Sequence, residues 1–147
     1  MTTQDKNAEI ARWMGLSYCE KYQYEGWYTN HEHNYRICDY DGLKYHSDWN
    51  WLMGVVERIE TTQFDFTKEE RYIRNIEKFK GRTKAPGSIF ISYDDRKEYI
   101  GWYWLVSISD FPTIQIKESI KREKTKIEAV HEAVYQFVVW YQKQIQS

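Results

Sequence analysis

Apolar residues recur along this chain at two spacings, and the switches between them mark its elements. Ile10, Trp13 and Met14 share one side of a helix expected over Lys6–Met14, with Asp5 to cap it and Gly15 to stop it. From Tyr18 to Tyr45 the period dissolves into aromatic, polar and glycine residues, with turn signals at Glu25-Gly26 and Asp41-Gly42 between short strand-like pieces. Ser47 is placed to cap a helix over Asp48–Thr61, in which Trp49, Leu52, Met53, Val56 and Ile59 follow the helical period. Phe64 and Phe66 alternate with Asp65, which predicts a strand over Gln63–Thr67.

Thr67 and Glu70 have the spacing of a capping box, and Tyr72, Ile73, Ile76 and Phe79 fit one helical face as far as Gly81. Gly81–Gly87 reads as a turn-rich break. Ser88–Tyr93 and Glu98–Ile108 then read as a hairpin closed by residues 94–97, with Ile100, Trp102, Trp104, Val106 and Ile108 on one face. Phe111-Pro112 ends that strand, and a charged link leads to Thr125, which with Glu128 makes a capping box for a helix running to Gln144. Its stripe of Ile127, Val130, Val134, Phe137, Val138 and Tyr141 is broadened by Ala129, Ala133 and Trp140, as befits a helix lying on a sheet. The order of elements predicts a single layered α+β domain, an antiparallel sheet or meander with helices packed on it.

Composition narrows the class. At 147 residues the chain suits one domain, and 41% hydrophobic with 29% charged residues excludes wholesale disorder. Its 18% aromatic content is high enough to build a core and leave rings for recognition. Two cysteines, Cys19 and Cys38, are too few for a secreted disulfide scaffold, and a start without a signal-peptide pattern adds to the expectation of a protein that stays in the cytoplasm. No apolar run approaches bilayer-spanning length. The formal net charge of −1 conceals polarity: residues 1–66 carry 6 Lys and Arg against 11 Asp and Glu, and residues 67–147 carry 15 against 11.

Candidate chemistry is sparse. Cys19, His31, Glu32, His33 and Cys38 include zinc-ligating types, but the paired spacing of a structural site is missing, so no metal or other cofactor is expected. His46 and His131 read as local polar contacts. Asp39 with Asp41 and Asp94 with Asp95 read as turn formers, and Gly81–Gly87 lacks the residue order of a phosphate-wrapping loop. No nucleophile motif appears, so the chain is expected not to be an enzyme.

Binding features are stronger. Lys68, Arg71, Arg74, Lys78, Lys80, Arg82 and Lys84 stand against Glu69, Glu70 and Glu77, a charge run that suits a phosphate backbone or a solvated helix face. A second basic run holds Lys117, Lys121, Arg122, Lys124 and Lys126. Trp27 and Tyr28, with other rings of residues 18–45, are candidate recognition anchors or core. The binding site expected from the sequence is therefore Arg71, Arg74, Lys78, Lys80, Arg82 and Lys84, with Trp27 and Tyr28.

Three segments, Tyr45-His-Ser-Asp-Trp-Asn-Trp-Leu-Met-Gly-Val-Val-Glu-Arg-Ile-Glu60, Thr125-Lys-Ile-Glu-Ala-Val-His-Glu-Ala-Val-Tyr-Gln-Phe-Val-Val-Trp-Tyr141 and Ile10-Ala-Arg-Trp-Met-Gly15, resemble small phage and prophage proteins of the phage ABA sandwich domain family. The resemblance rests on apolar packing positions and implies a layered helix and sheet domain acting in the host bacterial cytoplasm. It transfers no catalytic residues, and the charged stretch 68–84 departs from it. With the features above it points to a non-enzymatic binding protein that inhibits a bacterial defence system, engaging a CRISPR effector or its guide RNA. The alternatives are a small-molecule sponge for a signalling nucleotide and a small phage enzyme such as a nuclease.

Overall fold

In the computed structural model, which describes residues 1–20, 24–29, 35–68, 70–74, 76–79, 81–94, 99–106, 121–123 and 125–146, the first helix, α1 (Thr3–Trp13), starts three residues earlier than its apolar period suggests. Thr2 is the cap: its hydroxyl accepts from Asp5 N at 3.1 Å, and the Asp5 carboxylate accepts from Thr2 N at 3.1 Å. Asp5 is thus the third helical residue of a reciprocal capping box rather than the cap itself. Gly15 does end the helix. At φ +90° it donates to Arg12 O while Leu16 donates to Ala11 O, a left-handed closure that costs glycine least.

The irregular region forms a small antiparallel sheet of β1 (Ser17–Cys19), β2 (Gly26–Tyr28) and β3 (Arg36–Cys38), in that spatial order. A 3-10 turn at Tyr40–Gly42 follows. The second helix, α2 (Trp49–Thr61), is capped by Asp48, whose side chain accepts from Asn50 N, one residue beyond the expected Ser47. Leu52, Val55, Val56 and Ile59 face the core, whereas Trp49 and Met53 are exposed. Residues at i, i+3, i+4 and i+7 starting from Leu52 are the inward stripe, so the true face is rotated from the one anticipated.

The larger sheet is an antiparallel meander of β4 (Gln63–Asp65), β5 (Lys84–Asp94), β6 (Tyr99–Val106) and β7 (Lys121–Glu123). Between β4 and β5 lie a short helix, α3 (Glu70–Arg74), and a 3-10 turn at Ile76–Phe79, in place of one continuous helix to Gly81. The Glu70 side chain of the expected capping box lies outside the described residues; the Thr67 hydroxyl and N–H both donate to Asp65 Oδ1, at 2.6 and 2.9 Å. Ile73 and Ile76 are exposed and Tyr72 is buried, while the side chain of Phe79 lies outside the described residues. The expected break at Gly81–Gly87 is also shorter, since β5 already starts at Lys84. Residues 84–86 pair with β4 and residues 87–94 with β6, so Pro86 ends one ladder where the other takes over.

The last helix, α4 (Lys126–Gln146), begins with Glu128 N donating to the Thr125 hydroxyl at 3.3 Å. Ala129, Val130, Ala133, Val134, Phe137, Val138 and Trp140 are buried on it, confirming its broad apolar stripe. It packs on β5, β6, α1 and α2. Gly87 of β5 approaches both Ile59 of α2 and Phe137 of α4, which places both helices over the same face of the meander. The result is an α+β fold with an antiparallel sheet under helices. Among the described residues no helix is long and apolar enough to cross a membrane.

Candidate functional site

Alternation in β4 is the starting point of the site. Phe64 turns inward and is 1% exposed, while Gln63 and Asp65 face outward on the same side of the strand. Phe64 joins Phe137 at 4.8 Å, Tyr141 at 5.4 Å and Trp13 at 6.4 Å between ring centroids, a cluster that fixes the strand against α4. Asp65 and Lys84 are cross-strand partners in the β4–β5 register. The two hydrogen bonds from Thr67 to Asp65 bend the chain directly after the strand, and Lys68 emerges beside them.

These residues enclose a cleft of about 300 Å³ whose lining includes Gln63, Asp65, Lys68, Lys84, Tyr141 and Ile145. Ile145, near the end of α4, is 65% exposed at its edge. Among the described lining residues two ammonium groups stand against one carboxylate. Thr67's side-chain and backbone hydrogen bonds, opposed by desolvation and helped by the Lys84 and Lys68 charges, hold the Asp65 carboxyl below the usual carboxylate range. At neutral pH Asp65 is therefore an acceptor only.

The residues expected to bind are dispersed differently. Lys84 lies in the cleft, and Arg74 is exposed at the end of α3. Arg82 is half-buried just before β5; Arg71 belongs to α3 and Lys78 to the 3-10 turn, while Lys80 lies outside the described residues. Trp27 and Tyr28 are not exposed platforms. They are 0% and 3% exposed, with Trp27 Nε1 donating to Tyr40 O and the Tyr28 hydroxyl donating to Tyr24 O. Trp27 is packed against Tyr18 and Tyr40 and covered by the Arg12 guanidinium at 5.6 Å, so β2 uses its rings as core. Sequence reasoning did not place Gln63, Asp65, Tyr141 or Ile145 in a site; the Asp-x-Thr turn at 65–67 was the one local signal available.

A second cleft of about 350 Å³ lies over the small sheet and has the opposite sign, lined by Tyr18, Glu25, Asp39, Tyr40 and Asp41. The Tyr18 hydroxyl donates to Glu25, and that hydrogen bond with the surrounding acids pushes it up to about 12. Arg36 pairs with Asp39. This cleft repels phosphate, so the polarity of the sequence reappears as two surfaces of opposite charge. Cys19 and Cys38 are free thiols, and His31, Glu32 and His33 of the zinc candidate lie outside the described residues. Among the described residues no three His, Cys, Asp or Glu side chains are grouped to hold a metal ion.

Both histidines considered above belong to one buried network. His131 Nε2 lies 2.8 Å from Asn7 Oδ1, and Asn7 Nδ2 reaches His46 Nδ1 at 2.9 Å and Leu43 O at 3.2 Å. The Leu43 carbonyl can only accept, which fixes the amide orientation; that orientation makes His131 Nε2 a donor to Asn7 and presents the Asn7 amide hydrogens to Leu43 O and His46 Nδ1. Beside them Lys6 and Glu132 form a largely buried ion pair at 2.5 Å. Burial, assisted by His46 and Lys6, pushes His131 down to about 4, against a weaker pull from Glu132. A ring with a lowered folded pKa stabilises the fold fully above its unfolded value of about 6.5 and loses that contribution as the pH falls toward 4. Denaturant melts should therefore show a loss on the order of 3 kcal/mol over that interval. His131→Gln, which keeps a donor for Asn7, should flatten the loss; an unchanged slope would remove His131 as its source.

Comparison with protein-family models, curated proteins and solved structures gave no match, so the reading of the cationic cleft stands on its own geometry.

Proposed function

We propose that this chain is a non-enzymatic binding protein of phage origin that inhibits a bacterial defence system by holding the guide RNA of its ribonucleoprotein effector. The observation that carries this reading is the convergence of Lys68 and Lys84 on one cleft beside the Tyr141 ring. Two cations suit two phosphates, and an aromatic wall suits an unstacked base, the combination by which single strands are bound. The acidic cleft over the small sheet contributes in the opposite sense, turning nucleic acid away from that face and orienting the complex.

The test is anisotropy of a labelled single-stranded RNA at two salt concentrations. Two phosphate contacts imply a salt slope of about −1.4, hence about sevenfold weaker binding at 200 mM than at 50 mM salt. Lys84→Glu should weaken binding about tenfold and reduce the slope by about 1. Undiminished binding by that variant would remove the cleft from the interface. A defined defence complex retained from bacterial lysate by the wild type, and released by ribonuclease, would extend the result from RNA to the biological target.

A sponge for a signalling nucleotide is the second reading, favoured by the cleft's concavity, which reaches the lower end of ligand-pocket volumes.

A further inference from the structure

From the polar groups that share the cationic cleft, we infer that it is selective for guanine nucleotides, with the phosphate between Lys68 and Lys84 and the base edge against Asp65 and Gln63. The inference rests on the proposed RNA-binding role of the same cleft and specifies what that role recognises. Lysines alone would attract any nucleotide, because a phosphate carries no sequence information. The carboxylate is what discriminates.

Asp65 is ionised and accepts hydrogen bonds only. Both hydrogen bonds from Thr67 fall on Oδ1, and among the described residues none falls on Oδ2. The lone pairs of Oδ2 thus remain for a ligand donor. Gln63, two residues earlier on the same outward side of β4, adds an amide that can accept a second donor. A ligand suited to both needs two neighbouring N–H groups on one edge and no acceptor between them.

Guanine meets that demand with N1–H and the exocyclic N2 amino group. Adenine sets the N1 lone pair beside its amino group, cytosine does the same with N3, and uracil flanks its single N–H with two carbonyls, so each would direct an acceptor at the carboxylate. The Tyr141 ring offers a face of the right kind for the flat base, and it is held by its packing on Phe64 and Trp13. Ile145 supplies apolar surface at the outer edge. Pairing Asp65 with Lys84 across the β4–β5 ladder keeps the base-reading and phosphate-reading groups on rigid backbone rather than on a loop.

The same chemistry is presented by a guanine within single-stranded RNA and by a free guanine nucleotide, and the experiment separates them. Labelled UUUGUUU and UUUAUUU heptamers are titrated against wild type, Asp65→Asn and Lys84→Glu, and GMP and AMP are used as competitors. The expected result is about tenfold tighter binding of the guanine heptamer, a preference lost in Asp65→Asn. The asparagine retains an oxygen for Thr67, so the turn after β4 survives the substitution. Displacement by GMP and not AMP, at concentrations near the heptamer's own dissociation constant, assigns the site to a free nucleotide; a guanine preference without such displacement assigns it to RNA. Equal binding of the two heptamers, or a guanine preference that persists in Asp65→Asn, overturns the guanine inference, and weakening by Lys84→Glu would then leave the RNA reading standing. Absence of binding to either heptamer by the wild type, together with absence of direct GMP binding by titration calorimetry, overturns both.

Discussion

Val134→Asp should abolish cooperative folding. Val134 is 0% exposed, in the middle of the α4 stripe that lies on the meander and on α1 and α2. An aspartate there must either keep its charge without a partner, at a penalty of several kcal/mol, or take up a proton and still bury a polar group where a methyl pair was packed. Domains of this size have about 5–15 kcal/mol of stability in total, and the same substitution also removes apolar burial worth about 1.5–3 kcal/mol. Near-ultraviolet circular dichroism is the measurement, since seven Trp and thirteen Tyr make it sensitive to packing. Val134→Ala provides the reference: it should remain folded and lose only a fraction of the stability. A wild-type spectrum and a cooperative melt from Val134→Asp would show that this side of α4 does not face the core.

The second large effect is expected at Gly87, where the reason is space. A Cβ built there would stand 2.6 Å from both Ile59 Cγ2 and Phe137 Cε2, closer than such atoms approach one another. Ile59 and Phe137 are both 0% exposed and have little room to withdraw. Gly87→Ala should cost about 3 kcal/mol by forcing α2 or α4 away from β5, and Gly87→Val should leave no well-packed state. Gly54 is the internal control, because a Cβ there meets nothing within 4 Å. As an interior position of α2, Gly54→Ala should stabilise by roughly 1 kcal/mol. Equal and small effects at the two glycines, measured by urea melts, would contradict the close packing of the two helices on the strand.

Gly87 also shows where the sequence misleads. Pro86-Gly87 signals a break to any local reading, yet the strand passes through both because it exchanges partners there and because two helices press on it. Those are tertiary causes, absent from the local pattern. The helices α2 and α4 were legible because each repeats its apolar residues over three turns or more, so a misjudged cap or a rotated stripe does not destroy the signal. The segment after β4 is divided between a short helix and a 3-10 turn, each too short for that redundancy, and of its anticipated residues Tyr72 is buried while Ile73 and Ile76 are exposed. The site follows the same division. Lys84 stood out within a run of charge, but Asp65 and Tyr141 meet only after β4 has docked on the far end of α4. Trp27 and Tyr28 could not be assigned to surface or core from a region without period, and the burial of β2 on both sides decided it.

The attachment of α1 bears on the order in which the molecule can be made. Lys6 pairs with Glu132, Asn7 with His131, Glu9 with Gln142 and Met1 with Tyr135, so four polar anchors of the α1 segment lie on α4, 124 or more residues along the chain. At synthesis rates of about 5–20 residues per second, several seconds separate α1 from those anchors. During that interval Ile10, Ala8 and Ala11 lack the α4 part of the surface that buries them in the finished protein. α1 therefore completes its packing through contacts of long sequence separation, the kind that a folding chain forms late.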